Sequence, residues 1–145
     1  MTKVGTDYTG IVVCALVHDG KGNILLLKRG NGARDEHGAW DICGGALDFG
    51  EAIEDGLRRE IKEELATEPE QIKFMRPLSV VRKQNGAKTH WLALCHAVRV
   101  KPSTVTLAEP HKFDELGWFS TGSLPNPLHS QFHKILAMAK QAKIV

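Results

Sequence analysis

Apolar positions recur along the chain with two periods, and the change between them marks out the elements. Ile11 to Val17 is a continuous β-branched-rich run that ends on His18-Asp19-Gly20, a turn signal, and Asn23 to Lys28 follows it as a second strand of a buried hairpin. Trp40-Asp41-Ile42 reads as a short strand entering the glycine pair Gly44-Gly45. Phe74 to Lys83 and His90 to Val100 form a second pair of strands across Asn85-Gly86, a strong two-residue hairpin signal. Glu115 to Phe119 closes the strand set. Two stretches carry helical period instead. From Ala52 to Ala66, stepping about 100° per residue places Leu57, Ile61 and Leu65 within about 120° of Ile53, an apolar stripe that needs a core to pack against. From Leu128 to Lys143, Phe132, Ile135, Leu136 and Ala139 share the inward face of a closing helix.

The first of these helices has acids where apolar residues are expected. On the same wheel Glu64 falls inside the stripe, Glu60 on its edge and Glu63 one step further round. Burial and like-charge proximity both disfavour ionised carboxylates. Either the pKa values rise and protons are shared, or a cation binds. Oxygen ligands at i, i+3 and i+4 suit a hard ion, Mg²⁺ or Mn²⁺. A solvated helix laced with i,i+4 ion pairs would hold all its acids opposite the stripe, and Glu64 does not comply.

Composition narrows the setting. The chain has 145 residues, 42% hydrophobic and 25% charged, which predicts one globular domain over residues 1–145. A net charge of +2 is too small to argue for nucleic acid or an anionic membrane as partner. Acids are nonetheless concentrated: Glu51 to Glu68 holds seven against three basic residues, which suits a metal bridged to an anionic substrate. Cys14, Cys43 and Cys95 lack metal-ligand spacing and point to a reduced, cytoplasmic protein. The longest apolar run, Ile11 to Val17, is too short to span a bilayer, and the N-terminus has no signal-peptide pattern.

Gly45, five residues, Glu51, seven residues and then Arg59-Glu60-Ile61-Lys62-Glu63-Glu64 resembles the Nudix box of the Nudix hydrolases. Six fixed residues and one aliphatic position match, an agreement expected by chance at about one start in 10⁷. The chain departs from the pattern at Ala66 and Thr67, where the family has glycine and an aliphatic residue, and at Cys43, where many relatives have proline. The resemblance covers nearly the whole chain. It implies an α/β fold, the Nudix α/β/α sandwich with a mixed sheet between the catalytic helix and a C-terminal helix. It implies a MutT-like activity, metal-dependent hydrolysis of a pyrophosphate bond in a nucleoside diphosphate-X compound, foremost a nucleoside triphosphate giving a monophosphate and pyrophosphate. One to three Mg²⁺ or Mn²⁺ ions are expected on Glu60, Glu63, Glu64 and a backbone carbonyl of Gly44 or Gly45. Arg59 is expected to pair with Glu51, locking loop against helix. Glu63 or Glu109 would take the proton from the attacking water. Glu109 opens an EP-x-K-like segment similar to loops of nucleotide-cleaning members, and Glu115 is its rival. Relatives that cleave ADP-ribose, nucleotide sugars or dinucleoside polyphosphates, and a module that senses a nucleotide without hydrolysing it, are the alternatives. Dimers are common in the family, so a homodimer is allowed for.

Other polar groups divide between ligand and solvent. Lys28 and Arg29 are a phosphate clamp or plain strand-end charges. Arg34, Asp35 and Glu36 sit in the turn-rich loop Gly30 to Gly38, read as solvated, and Arg82, Lys83 and Lys88 at a hairpin end. Trp40, Trp91, Phe113 and Trp118 are the aromatic candidates for a base pocket. His129 and His133, four apart on the closing helix, read as surface residues, and Cys43 as a small buried one.

Overall fold

The run from Ile11 to Val17 is apolar throughout, and from Val13 onward both of its faces are covered. The structure of the chain, a computed structural model, describes residues 1–145, residue 84 through its backbone alone. The order is β1 (Gly10–His18), β2 (Asn23–Arg29), β3 (Trp40–Asp41), β4 (Cys43–Ala46), α1 (Ile53–Leu65), β5 (Gln71–Gln84), β6 (Ala87–Arg99), β7 (Phe113–Ser120) and α2 (Phe132–Gln141), with a 3-10 turn at Pro102–Thr104. Along β1, Val13, Ala15 and Val17 pack with Leu57, Ile61 and Leu65 of α1. Cys14 and Leu16, pointing the other way, pack with Phe132, Ile135, Leu136 and Ala139 of α2. This two-residue alternation repeats in β2, where Leu25 and Leu27 face α1 while Ile24 and Leu26 face α2. The α/β sandwich is therefore built as expected, with a helix on each face of a mixed sheet.

β1 is the central strand. It runs parallel to β6 from Gly10↔Trp91 to His18↔Arg99, and antiparallel to β2 only at Val17↔Leu25 and His18↔Ile24. β2 then leaves to pair with β7 and β3, and β4 takes its place against β1, from Val12↔Ala46 to Ala15↔Cys43. Gly44 and Gly45 are thereby pressed onto β1. A Cβ on Gly44 would collide with the Val13 carbonyl, and one on Gly45 with the Glu60 carboxylate of α1. No helix among the described residues is long and apolar enough to cross a membrane.

Element ends shift where tertiary hydrogen bonds compete with local pattern. α2 begins at Phe132, not Leu128, because the preceding residues are held elsewhere: Trp40 N–H donates to the Pro127 carbonyl, His129 N–H to the Trp40 carbonyl, and Ser130 N–H to Glu36 Oε1. His129 and His133 are accordingly not one helical turn apart on a shared face. The hairpin of β5 and β6 turns at Asn85 and Gly86, both with positive φ (52° and 78°), as its sequence requires.

The exit of α1 keeps a glycine-like geometry without glycine. Ala66 has φ 54° and ψ 34°, and its N–H donates to the Lys62 carbonyl. Thr67, in place of an aliphatic residue, is buried with its hydroxyl 2.6 Å from that of Thr104. At the other end, the loop before α1 is clamped by Arg59, whose Nε and Nη2 donate to the two oxygens of Glu51 at 2.7 and 2.9 Å and whose Nη2 also reaches the Ala46 carbonyl.

A left-handed alanine costs about 1 kcal/mol relative to glycine. Ala66→Gly should raise stability by about that amount in chemical denaturation, since the side chain is exposed and nothing else changes. A lowered midpoint would show that the left-handed exit is not strained. The Arg59 clamp makes an acid-range prediction. Hydrogen bonds from Arg59 hold the Glu51 carboxyl at about 2, below its ordinary 4.5. A depressed folded value contributes stability that is complete above about pH 4.5 and lost as pH falls toward 2. In thermal melts over that window, Glu51→Gln should decline less steeply than the unsubstituted protein; parallel curves would remove the clamp from the account.

Candidate active site

Glu64 stands in the stripe of α1 among Leu57, Ile61 and Leu65, and it is 0% exposed. Its charge is met from two other elements. Oε1 accepts the Gly44 N–H of β4 at 2.9 Å, and Oε2 accepts Lys112 Nζ at 3.0 Å from the segment before β7. Burial pushes its pKa up to about 7 against the pull of the Lys112 ammonium, the Cys43 thiol and the Gly44 N–H. Burial alone would lower Lys112, but the Glu64 carboxylate outweighs it and holds the ammonium above its usual range. Cys43 lies buried beside this pair, its thiol raised by burial and then by Glu64, which suits an inert side chain and not a nucleophile.

Glu60 is nearly buried and raised by burial, with Arg59 opposing. Arg59 Nη1 donates to it at 2.8 Å and reaches Glu63 at 3.4 Å. Glu63 is half-exposed, its side chain 48% open to solvent. The structure thus brings Glu60, Glu63, Glu64 and the Gly44-Gly45 turn together, with Arg59 joining Glu51, Glu60 and Glu63. The fit to a hard divalent cation can be tested on this arrangement. Two of the three carboxylates are buried with raised pKa values, a protein ammonium already stands against Glu64, and the donors are oxygens alone. These residues fit Mg²⁺ or Mn²⁺.

Glu109 and Glu115 separate clearly. Thr106 N–H and Ala108 N–H donate to the carbonyls of Leu65 and Glu64, so the segment leading to Glu109 is stitched to the end of α1. Glu109 is partly buried, and its charge acts on Lys112. Glu115 lies on β7, exposed, in a surface pair with Lys28 at 3.5 Å. Lys28 is thereby a strand-end charge. Lys112 itself was given no role by sequence reasoning; the EP-x-K spacing was the available signal.

A cavity opens from Gly44, Gly45 and Lys112 onto an apolar wall of Leu78, Val80 and Trp91. Its other wall is polar and includes Arg34 and Asp35 of the loop read as solvated, together with Arg29, Asp41, Arg82, His129 and Gln131. Arg29 donates to Asp35 at 3.0 Å and to Asp41 at 3.1 Å; Arg82 bridges Asp35 and Glu36; His129 Nε2 lies 2.9 Å from Glu36. The Asp35 side chain is buried and Glu36 half-buried, so the expectation of a solvated loop is corrected: these acids face inward because the Arg29 and Arg82 guanidinium groups meet them there. His129 is likewise a half-buried wall residue, not a surface one. Ligand atoms of Asp35, Glu36 and His129 lie within 4.8 Å of one another, yet Arg29 and Arg82 already neutralise those acids, so this is a wall of ion pairs and not a cation site. Among the described residues, the buried atoms Arg82 Nε and Gln131 Oε1 have no hydrogen-bond partner. The Arg34 guanidinium lies 4.6 Å over the Trp91 ring. Lys83 and Lys88 stay exposed, Trp40 packs edge-on against Phe119 at 5.2 Å, and Phe113 is core on the α1 side.

The match to known proteins follows the same outline. A family model described as NUDIX domain matches residues 8–138. The fold superposes on a crystal structure of a MutT NUDIX hydrolase from Burkholderia pseudomallei with TM-score 0.80 and 29% identity, covering 90% of this chain and 97% of that one. An RNA pyrophosphohydrolase from Acinetobacter baylyi is 28% identical across 66% of this chain and 70% of its own. The nucleoside triphosphatase NudI of Escherichia fergusonii is 44% identical, but over 37% of this chain and 38% of its own. The sandwich agrees with these relationships, and the chain belongs to the Nudix hydrolase family.

Proposed function

We propose that the protein hydrolyses nucleoside triphosphates to the monophosphate and pyrophosphate, with Mg²⁺ or Mn²⁺. The observation that carries this reading is the position of Glu60 and Glu64 against the Gly44-Gly45 turn, with Glu63 tied to Glu60 through Arg59, where that turn lines a cavity with one apolar and one polar wall. The metal would be held by Glu60, Glu63, Glu64 and a carbonyl of that turn, Gly45 foremost. Bound there, it offsets charge on the phosphate oxygens and lowers the pKa of water.

The side chains divide the remaining work. Both oxygens of Glu64 are committed within the fold, so it is a poor acceptor for a substrate-derived proton. Glu63 and Glu109, more open to solvent, are the candidates for general base. Arg59 is a positioning residue: it fixes Glu51 and orients Glu60 and Glu63. The nucleoside would enter the cavity, where Leu78, Val80 and Trp91 offer apolar surface. Arg82 and Gln131 line its polar side. Similarity to MutT and NudI proteins supports a nucleotide substrate, and the three free buried thiols suit a reducing cytoplasm.

The test is a product screen with Mg²⁺ or Mn²⁺ over nucleoside triphosphates, ADP-ribose, nucleotide sugars, dinucleoside polyphosphates and a 5′-triphosphorylated RNA oligonucleotide. A triphosphate should give pyrophosphate and monophosphate in equal amounts. Glu64→Gln should lower turnover by about 10³-fold or more while leaving a folded protein. Normal turnover by that variant would sink the site assignment, and release of orthophosphate instead would sink the reaction.

A further inference from the structure

Glu64 is buried, yet it already carries a cation of the protein's own. Lys112 Nζ lies 3.0 Å from its Oε2, and the Lys112 side chain is 28% exposed, at the edge of the cavity that Gly44 and Gly45 also line. The backbone at this point is held: Gly30 N–H donates to the Lys112 carbonyl at 2.9 Å, and Lys112 N–H donates to the Glu109 carbonyl at 3.0 Å. The ammonium, by contrast, hangs on a flexible four-carbon stem with solvent at one side. Glu109 and Glu60 add to the negative field around it.

We infer that Lys112 is an exchangeable counter-cation: its ammonium neutralises Glu64 in the metal-free protein, and it is released from Glu64 toward the phosphate end of the cavity when a divalent ion takes that carboxylate. This rests on the metal-dependent reading proposed above. The argument is one of charge and place. Glu64 has one oxygen fixed on Gly44 N–H and a single oxygen left, and a second cation on that oxygen repels the ammonium. A neutral side chain at 112 would leave the metal-free carboxylate uncompensated, and would spare an incoming ion that repulsion. Lys112 thus stabilises the empty site and opposes metal entry in equal measure. Once released, its charge faces the anionic substrate in the same cavity.

The experiment uses the whole chain as Lys112→Met, Lys112→Gln and Lys112→Arg, with Mn²⁺ alone as probe, read by the electron paramagnetic resonance signal of the free ion. Thermal melts are run in chelator and in saturating Mg²⁺. Lys112→Met should bind Mn²⁺ about tenfold more tightly than the unsubstituted protein. It should melt lower in chelator, with most of that deficit removed by Mg²⁺. Lys112→Gln provides the same test if the methionine variant does not fold, and Lys112→Arg, which keeps the charge, should stay near the parent. With a triphosphate substrate, KM should rise in the neutral variants by a larger factor than kcat falls. Unchanged or weaker Mn²⁺ binding in both neutral variants, or a melting deficit equal in chelator and Mg²⁺, would overturn the exchange and reduce Lys112 to a structural tie. Failure of the unsubstituted protein to bind Mn²⁺ would overturn the metal-dependent reading as well.

Discussion

A carboxylate inside an apolar helix face has to be answered by other elements, and the answer to Glu64 determines how this fold closes. α1 cannot bury Leu57, Ile61 and Leu65 against the sheet without also burying Glu64, because all four lie on one stripe. The Gly44 N–H and the Lys112 ammonium supply what water no longer can. Removing one partner of such a pair costs about 3–5 kcal/mol. A helix, a two-glycine strand and the segment before the last strand are thus tied together at a point that contributes nothing to hydrophobic burial. An apolar residue at 64 would pack with less difficulty. Under the metal-dependent reading proposed above, the acid belongs to a cation site whose geometry is held by the core itself.

Arg59 solves a different problem by different means. Its partners Glu51 and Glu63 are partly exposed, and ion pairs of that kind add little to stability. What it adds is direction. One planar guanidinium joins the loop before α1 to two carboxylates of the helix, fixing Glu60 and Glu63 relative to the glycine turn. Glu64 is placed by burial and Arg59 by a fork of hydrogen bonds, so the rigid and the solvent-reachable halves of the carboxylate cluster are held separately.

Features that depend on residues close in sequence were legible in the sequence, and those that depend on distant partners were not. Period alone placed Glu64 inside the stripe, since helix geometry over thirteen residues leaves no freedom in the matter. The β1 and β2 runs were legible because strands covered on both faces are apolar at nearly every position. Lys112 escaped attention because its hydrogen-bonded partner, Glu64, lies 48 positions earlier, and the local EP-x-K spacing does not point to it. The loop from Gly30 to Gly38 looked solvated because the partners of its acids, Arg29, Arg82 and His129, reach it from a strand end, a hairpin and the approach to α2. His129 was set on a helix by a local pattern that hydrogen bonds to Trp40 and Glu36 override.

The same division separates chemistry from recognition. Glu51, Arg59, Glu60, Glu63 and Glu64 lie within one short stretch, so the reaction can be read from a motif. The cavity walls instead come from β3, β5, β6, the loop after β2 and the residues leading into α2. Within that polar wall most groups are already spent on one another: Arg29 on Asp35 and Asp41, Arg82 on Asp35 and Glu36, His129 on Glu36. A ligand gains little from groups whose hydrogen bonds are already satisfied, and disturbing them exposes buried charge. Under the proposed function, discrimination between nucleosides would therefore come from the apolar surface of Val80 and Trp91 and not from these satisfied ion pairs.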